Sequence, residues 1–117
     1  SDGEHGVGNG PVLETIDPGT GLVLTEIRSS TDEDVNRAVV AARAAFADGR
    51  WSERDADDRE EVIQRLADLV ERDFEALVTI EALDTGKPRA EAYFDIKEVI
   101  GVLRSAALPA SSRCRRR

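Results

Sequence analysis

Cysteine and histidine are each represented once in this chain of 117 residues, and methionine is absent. The single cysteine, Cys114, excludes an intramolecular disulfide and a metal site built from clustered cysteines. The single histidine, His5, lies in a glycine-rich leader without a neighbour that could orient it, so we assign it to no site. This composition favours a reducing, cytoplasmic location for the protein.

Long apolar segments are also missing. No run approaches the roughly 20 apolar residues that a helix needs to cross a bilayer. No basic segment followed by an apolar one opens the chain, as it would in a secretory signal. With 34% charged and 40% hydrophobic residues, the sequence is typical of a soluble protein of one domain. We therefore expect no membrane partner.

The net charge changes sign along the sequence, from negative over most of the chain to positive in the last thirteen residues. Residues 1–104 hold all 24 acidic residues and 12 of the 16 basic ones, whereas the last thirteen residues hold four arginines and no acid. An acidic body repels the phosphates of nucleic acids, so we expect no nucleic acid partner. Residues 106–117 have no periodicity and are predicted to form an unstructured basic tail. Residues 1–10 are predicted to form a disordered leader.

Residues 11–105 are predicted to contain a β-hairpin and a series of helices. Two short strands, 12–16 and 22–27, flank a turn of Asp, Pro and Gly residues. Thr31 and Asp34 form a capping-box pattern at the start of the first helix. Its predicted apolar stripe consists of Val35, Ala38, Val39, Ala42 and Phe46.

A second helical run extends from Asp57 to Leu83, which is long enough to predict a bend near Asp73. Its apolar positions recur every three or four residues, at Ile63, Leu66, Ala67, Val70, Phe74, Leu77 and Val78. The helix predicted over residues 89–104 has an apolar face of Ala92, Ile96, Val99, Ile100 and Leu103.

The sequence EALDTGKP at residues 81–88 separates the last two helical runs. Gly86 favours the end of a helix, and Pro88 suits the first turn of the next one. A phosphate-binding loop is excluded here, because that motif has a glycine where this chain has Glu81 and a Ser or Thr where it has Pro88. We refer to residues 81–88 as the hinge.

These motifs, in this order, resemble the N-terminal segment of the NAD(P)-dependent aldehyde dehydrogenase superfamily. The similarity extends from Leu13 to about Arg104. It includes ETIDP and TG at residues 14–18 and 20–21, DVNRAV and AARAAF at 34–39 and 41–46, and LADLVER at 66–72. The hinge is the most specific match.

The resemblance implies an α/β fold in which this mainly helical segment, with its short β-hairpin, wraps a Rossmann-like coenzyme domain. It implies NAD- or NADP-dependent oxidation of an aldehyde to a carboxylic acid. It also implies a K⁺ or Na⁺ site formed by the backbone oxygens of Thr15 and Ile16 and the carboxylate of Asp84. The alternative for Asp84 is a structural role in which it braces the turn.

The family's catalytic and cofactor-binding residues lie beyond the matching segment. We therefore expect no catalytic residue in this chain, weak or no NAD(P) binding, and no activity of the chain alone. The change of composition after residue 104 indicates a truncated or frame-shifted gene product. The alternative function is a non-catalytic helical module that docks on a dehydrogenase subunit or another partner.

Overall fold

The computed structural model describes residues 6–108. They form one β-hairpin and four helices, which confirms the predicted mainly helical segment with an N-terminal hairpin. Contacts divide the chain into two units, Ser1–Glu53 and Arg54–Arg117. Within residues 6–108, no helix is both long and apolar enough to cross a membrane.

The hairpin of the first unit pairs strand β1 (Val12–Ile16) with strand β2 (Val23–Arg28) in antiparallel register. The register shifts between Thr15 and Ile16, which face Thr25 and Val23, so the intervening residue of β2 has no partner. Such an irregularity bends the strand and disturbs the hydrogen bonds of the ladder. The predicted turn between the strands is present, and Gly21 in this turn has a φ of 74°.

Helix α1 (Asp32–Ala47) begins with the predicted capping box. The backbone N–H of Asp34 donates to the Thr31 hydroxyl at 3.2 Å, and the backbone N–H of Thr31 donates to the Asp34 carboxylate at 2.9 Å. These bonds satisfy donors that a helix start otherwise leaves without partners. The large apolar side chains of the predicted stripe nevertheless stay exposed: 52% for Val35, 61% for Val39 and 70% for Phe46. No residue of α1 is buried.

The Asp34 carboxylate also holds the segment that precedes the hairpin. It accepts hydrogen bonds from the Asn9 backbone N–H at 2.9 Å and from the Asn9 side-chain amide at 2.7 Å, and it pairs with Arg37. The Gly10 backbone N–H donates to the carbonyl oxygen of Ser29 at 2.8 Å. The structure thus differs from the predicted leader at residues 9 and 10, while residues 1–5 lie outside the described part of the chain.

The second unit consists of three helices that contact one another. They are α2 (Ala56–Arg72), α3 (Phe74–Thr85) and α4 (Arg89–Ala106). Asp73, at φ −95° and ψ 16°, separates α2 from α3 and confirms the predicted bend. Helix α2 begins after Asp55 instead of Asp57, and α4 extends two residues beyond the predicted Arg104.

Small side chains form the buried centre of this second unit. Ala67 on α2, Val78 on α3 and Ala92 on α4 are fully buried. The rings of Phe74 and Tyr93 pack edge to face with their centroids 5.0 Å apart, which is a favourable arrangement for aromatic rings. Two members of the predicted apolar faces remain largely exposed, at 48% for Leu66 and 44% for Val99.

The Asp34 contacts predict how the first unit responds to acid. Backbone donation from Thr31, followed by donation from the Asn9 backbone and side chain, holds the pKa of the Asp34 carboxyl well below its ordinary range. An unfolded aspartate has a pKa of about 3.9, and above this pH the stability that Asp34 contributes is fully present. This stability is lost as the pH falls through the lower pKa that Asp34 has in the folded state.

We therefore expect the NMR signal of the Asn9 backbone amide to stay constant from neutral pH down to about pH 4 and to shift in stronger acid. In the Asp34→Asn variant, this acid transition should be absent. An Asn9 signal that titrates identically in the variant, or one that shifts near neutral pH, would contradict this assignment.

Candidate functional site

The hinge of residues 81–88 is the candidate site, because the most specific motif of the sequence lies there. Helix α3 ends at Thr85, and Gly86 follows in the left-handed conformation at φ 72° and ψ 10°. The Gly86 backbone N–H donates to the carbonyl oxygen of Ala82 at 3.0 Å. Pro88 then stands at the N-cap of α4. The predicted roles of Gly86 and Pro88 as helix end and helix start are confirmed.

The Thr85 side chain stabilises the end of α3 through two hydrogen bonds. Its hydroxyl donates to the carbonyl oxygen of Glu81 at 2.6 Å and accepts a hydrogen bond from the Lys87 backbone N–H at 3.4 Å. One hydroxyl therefore links the last turn of the helix to the backbone that leaves it. The bracing that we considered for Asp84 is supplied by its neighbour Thr85.

Lys87 joins the two helices that meet at the hinge. Its ammonium lies 2.5 Å from the Asp95 carboxylate on α4 and 3.1 Å from the Glu81 carboxylate on α3. Hydrogen bonds to Asp95 first and to Glu81 second raise the pKa of Lys87 above its ordinary value. The lysine is thus charged at neutral pH and engaged by two carboxylates, which agrees with the exclusion of a phosphate-binding role.

Two arginines of α4 make comparable contacts with the preceding helices. Arg89 donates to the Thr79 hydroxyl at 2.8 Å and to the Glu75 carboxylate at 2.5 Å, both on α3. Arg104 donates to three acceptors along α2, namely Gln64 at 3.1 Å, Asp68 at 3.2 Å and Glu71 at 2.7 Å. Because these pairs are partly exposed, water and salt weaken each of them.

The contacts of Arg89 and Arg104 with the preceding helices were not predicted from the sequence. The partners of Arg104 are 33 to 40 residues away from it, and no local spacing rule connects residues so far apart. The only signal was that Arg104 ends an amphipathic helix and that the preceding helical run contains acidic residues, among them Asp68 and Glu71. That signal predicts a favourable environment for the arginine but no particular partner.

The predicted cation ligands are distributed over both units. Thr15 and Ile16 are neighbours at the register shift of β1, and the Thr15 hydroxyl donates to the carbonyl oxygen of Thr25 at 3.3 Å. Asp84 is exposed in the last turn of α3. The cation site that joins these three residues stays a prediction.

Within residues 6–108, no group of three or more His, Cys, Asp or Glu side chains is arranged to hold a metal ion. The Asp84 carboxylate makes no hydrogen bond or ion pair with another described residue. His5, Cys114 and the arginines of the tail lie outside the described part of the chain.

Substitution by alanine should lower the free energy of unfolding at the hinge glycine, Gly86, and raise it at Gly101, a glycine inside α4. Gly86→Ala places a Cβ in the left-handed region, which costs roughly 1–2 kcal/mol. Gly101→Ala adds a Cβ that meets no atom within 4 Å, and it should raise helix stability by about 1 kcal/mol.

Urea unfolding followed by circular dichroism measures both changes in the free energy of unfolding. Gly101→Ala serves as the matched control for the added methyl group. Equal effects of the two substitutions would contradict the assigned conformation of Gly86.

Comparisons with known proteins identify a family and several proteins to which this chain is similar. Residues 7–114 match the model of the aldehyde dehydrogenase family. The chain is 47% identical over 92 residues to a mitochondrial aldehyde dehydrogenase of Equus caballus, covering 77% of this chain and 18% of that protein. It is 42% identical over 98 residues to retinal dehydrogenase 2 of Gallus gallus, covering 82% of this chain and 19% of that protein.

Solved structures give the same result. Betaine aldehyde dehydrogenase from Staphylococcus aureus, crystallised in complex with NAD⁺, superposes with a TM-score of 0.86 at 36% sequence identity. The superposition covers 91% of this chain and 21% of that one. The chain therefore spans about a fifth of the length of the proteins that it matches.

Proposed function

The chain belongs to the aldehyde dehydrogenase family, and we propose that it serves as the N-terminal hairpin-and-helix segment of such an enzyme. The complete enzyme would oxidise an aldehyde to a carboxylic acid with NAD or NADP. The 117-residue chain by itself would be inactive. The observation that carries this proposal is the match over most of this chain to only about a fifth of each relative.

The chemistry of aldehyde oxidation supports the inactivity of the chain alone. The reaction requires a thiolate nucleophile, donors that stabilise the oxyanion and a base that activates water for deacylation. Residues 6–108 contain neither cysteine nor histidine. The described residues therefore supply no thiol to attack the aldehyde.

The described residues also do not fit a dinucleotide cofactor, whose role in the reaction is to accept a hydride. A dinucleotide fingerprint requires a glycine-rich turn that connects a strand with a helix. Here β2 continues into α1 through Ser29, Ser30 and Thr31, with no glycine between them. The Gly86-Lys87 pair connects two helices, and its lysine is held by two carboxylates.

Purified chain incubated with NAD⁺ or NADP⁺ and a panel of aldehydes should form no NADH or NADPH above the rate without protein. A full-length family enzyme in the same assay provides the positive control. Product formation that rises in proportion to the concentration of the chain would overturn the proposal.

We also propose that Thr15, Ile16 and Asp84 are ligands of a K⁺ or Na⁺ ion. Two backbone oxygens and one carboxylate form an oxygen-only set, which suits a hard cation. Two observations support the proposal. The β-ladder is irregular at Thr15 and Ile16, and the Asp84 carboxylate makes no ion pair or hydrogen bond with any residue from 6 to 108.

Addition of K⁺ or Na⁺ at constant ionic strength should raise the thermal midpoint of the chain, with a choline salt as the reference. The Asp84→Ala variant should lose this response. The Asp95→Asn variant should keep it, because that carboxylate is a partner of Lys87. A response that is absent in the wild type, or unchanged in Asp84→Ala, would remove the site.

The second candidate function is a non-catalytic module that docks on a dehydrogenase subunit. Helix α1 favours it, because this helix buries no residue and leaves Val39 and Phe46 exposed at 61% and 70%. An apolar stripe of this kind is usually covered by another surface. We propose that a dehydrogenase subunit covers it.

The tagged chain should then co-purify with a family dehydrogenase expressed in the same cells. Val39→Ser should weaken the association, whereas Val102→Ser, which alters a valine of equal exposure on α4, should not. A chain that remains a folded monomer in the presence of the enzyme would exclude this role.

We also propose that the protein is cytoplasmic. The composition of the chain favours the cytoplasm, whereas several of its relatives are mitochondrial proteins.

A further inference from the structure

We draw no further inference here: the strongest candidate, the open groove of about 430 Å³ on helix α4 lined by Glu98, Gly101, Val102, Ser105 and Ala106, carries nothing, because nothing in the structure shows what covers it.

Discussion

A left-handed glycine followed by a proline sets the change of direction on which the second unit depends. Gly86 takes a φ of 72°, which glycine adopts without the cost that a Cβ adds. Pro88 cannot continue the hydrogen bonds of a preceding helix but suits the start of a new one. With this corner in place, α4 lies against α3, and Lys87 reaches a carboxylate on each helix. The corner depends on Gly86 and Pro88, and it allows α4 to pack against the helices that precede it.

The apolar surface left exposed is large for a chain of this size. The apolar side chains of the hairpin are between 39% and 68% exposed, and α1 buries none of its own. A small domain buries less of its surface than a large one and is correspondingly marginal, and a two-stranded hairpin in water is marginal as well. These features fit a segment whose apolar faces pack against further polypeptide. They agree with the role proposed for a chain that covers about a fifth of its relatives.

Much of the fold was predictable because its signals are local. The capping box at Thr31 and the helix end at Gly86 each depend on residues within four positions of one another, and the break at Asp73 was predicted from the length of one continuous helical run. Hydrophobic periodicity likewise located the helices and most of their inner faces. It failed for α1, whose stripe has helical spacing but no buried member, because periodicity shows which side of a helix is apolar and not whether anything covers it.

For the candidate site, the sequence alone determined the local geometry of the hinge and the resemblance to the family, because both depend on consecutive residues. The tertiary structure decided how the charged side chains are used. It gave Lys87 two carboxylate partners and assigned the bracing of the turn to Thr85. It also brought Arg104 to acceptors on α2 that are more than thirty residues away in sequence. A long charged side chain reaches several acceptors in a folded protein, and only the packed positions of the helices select among them.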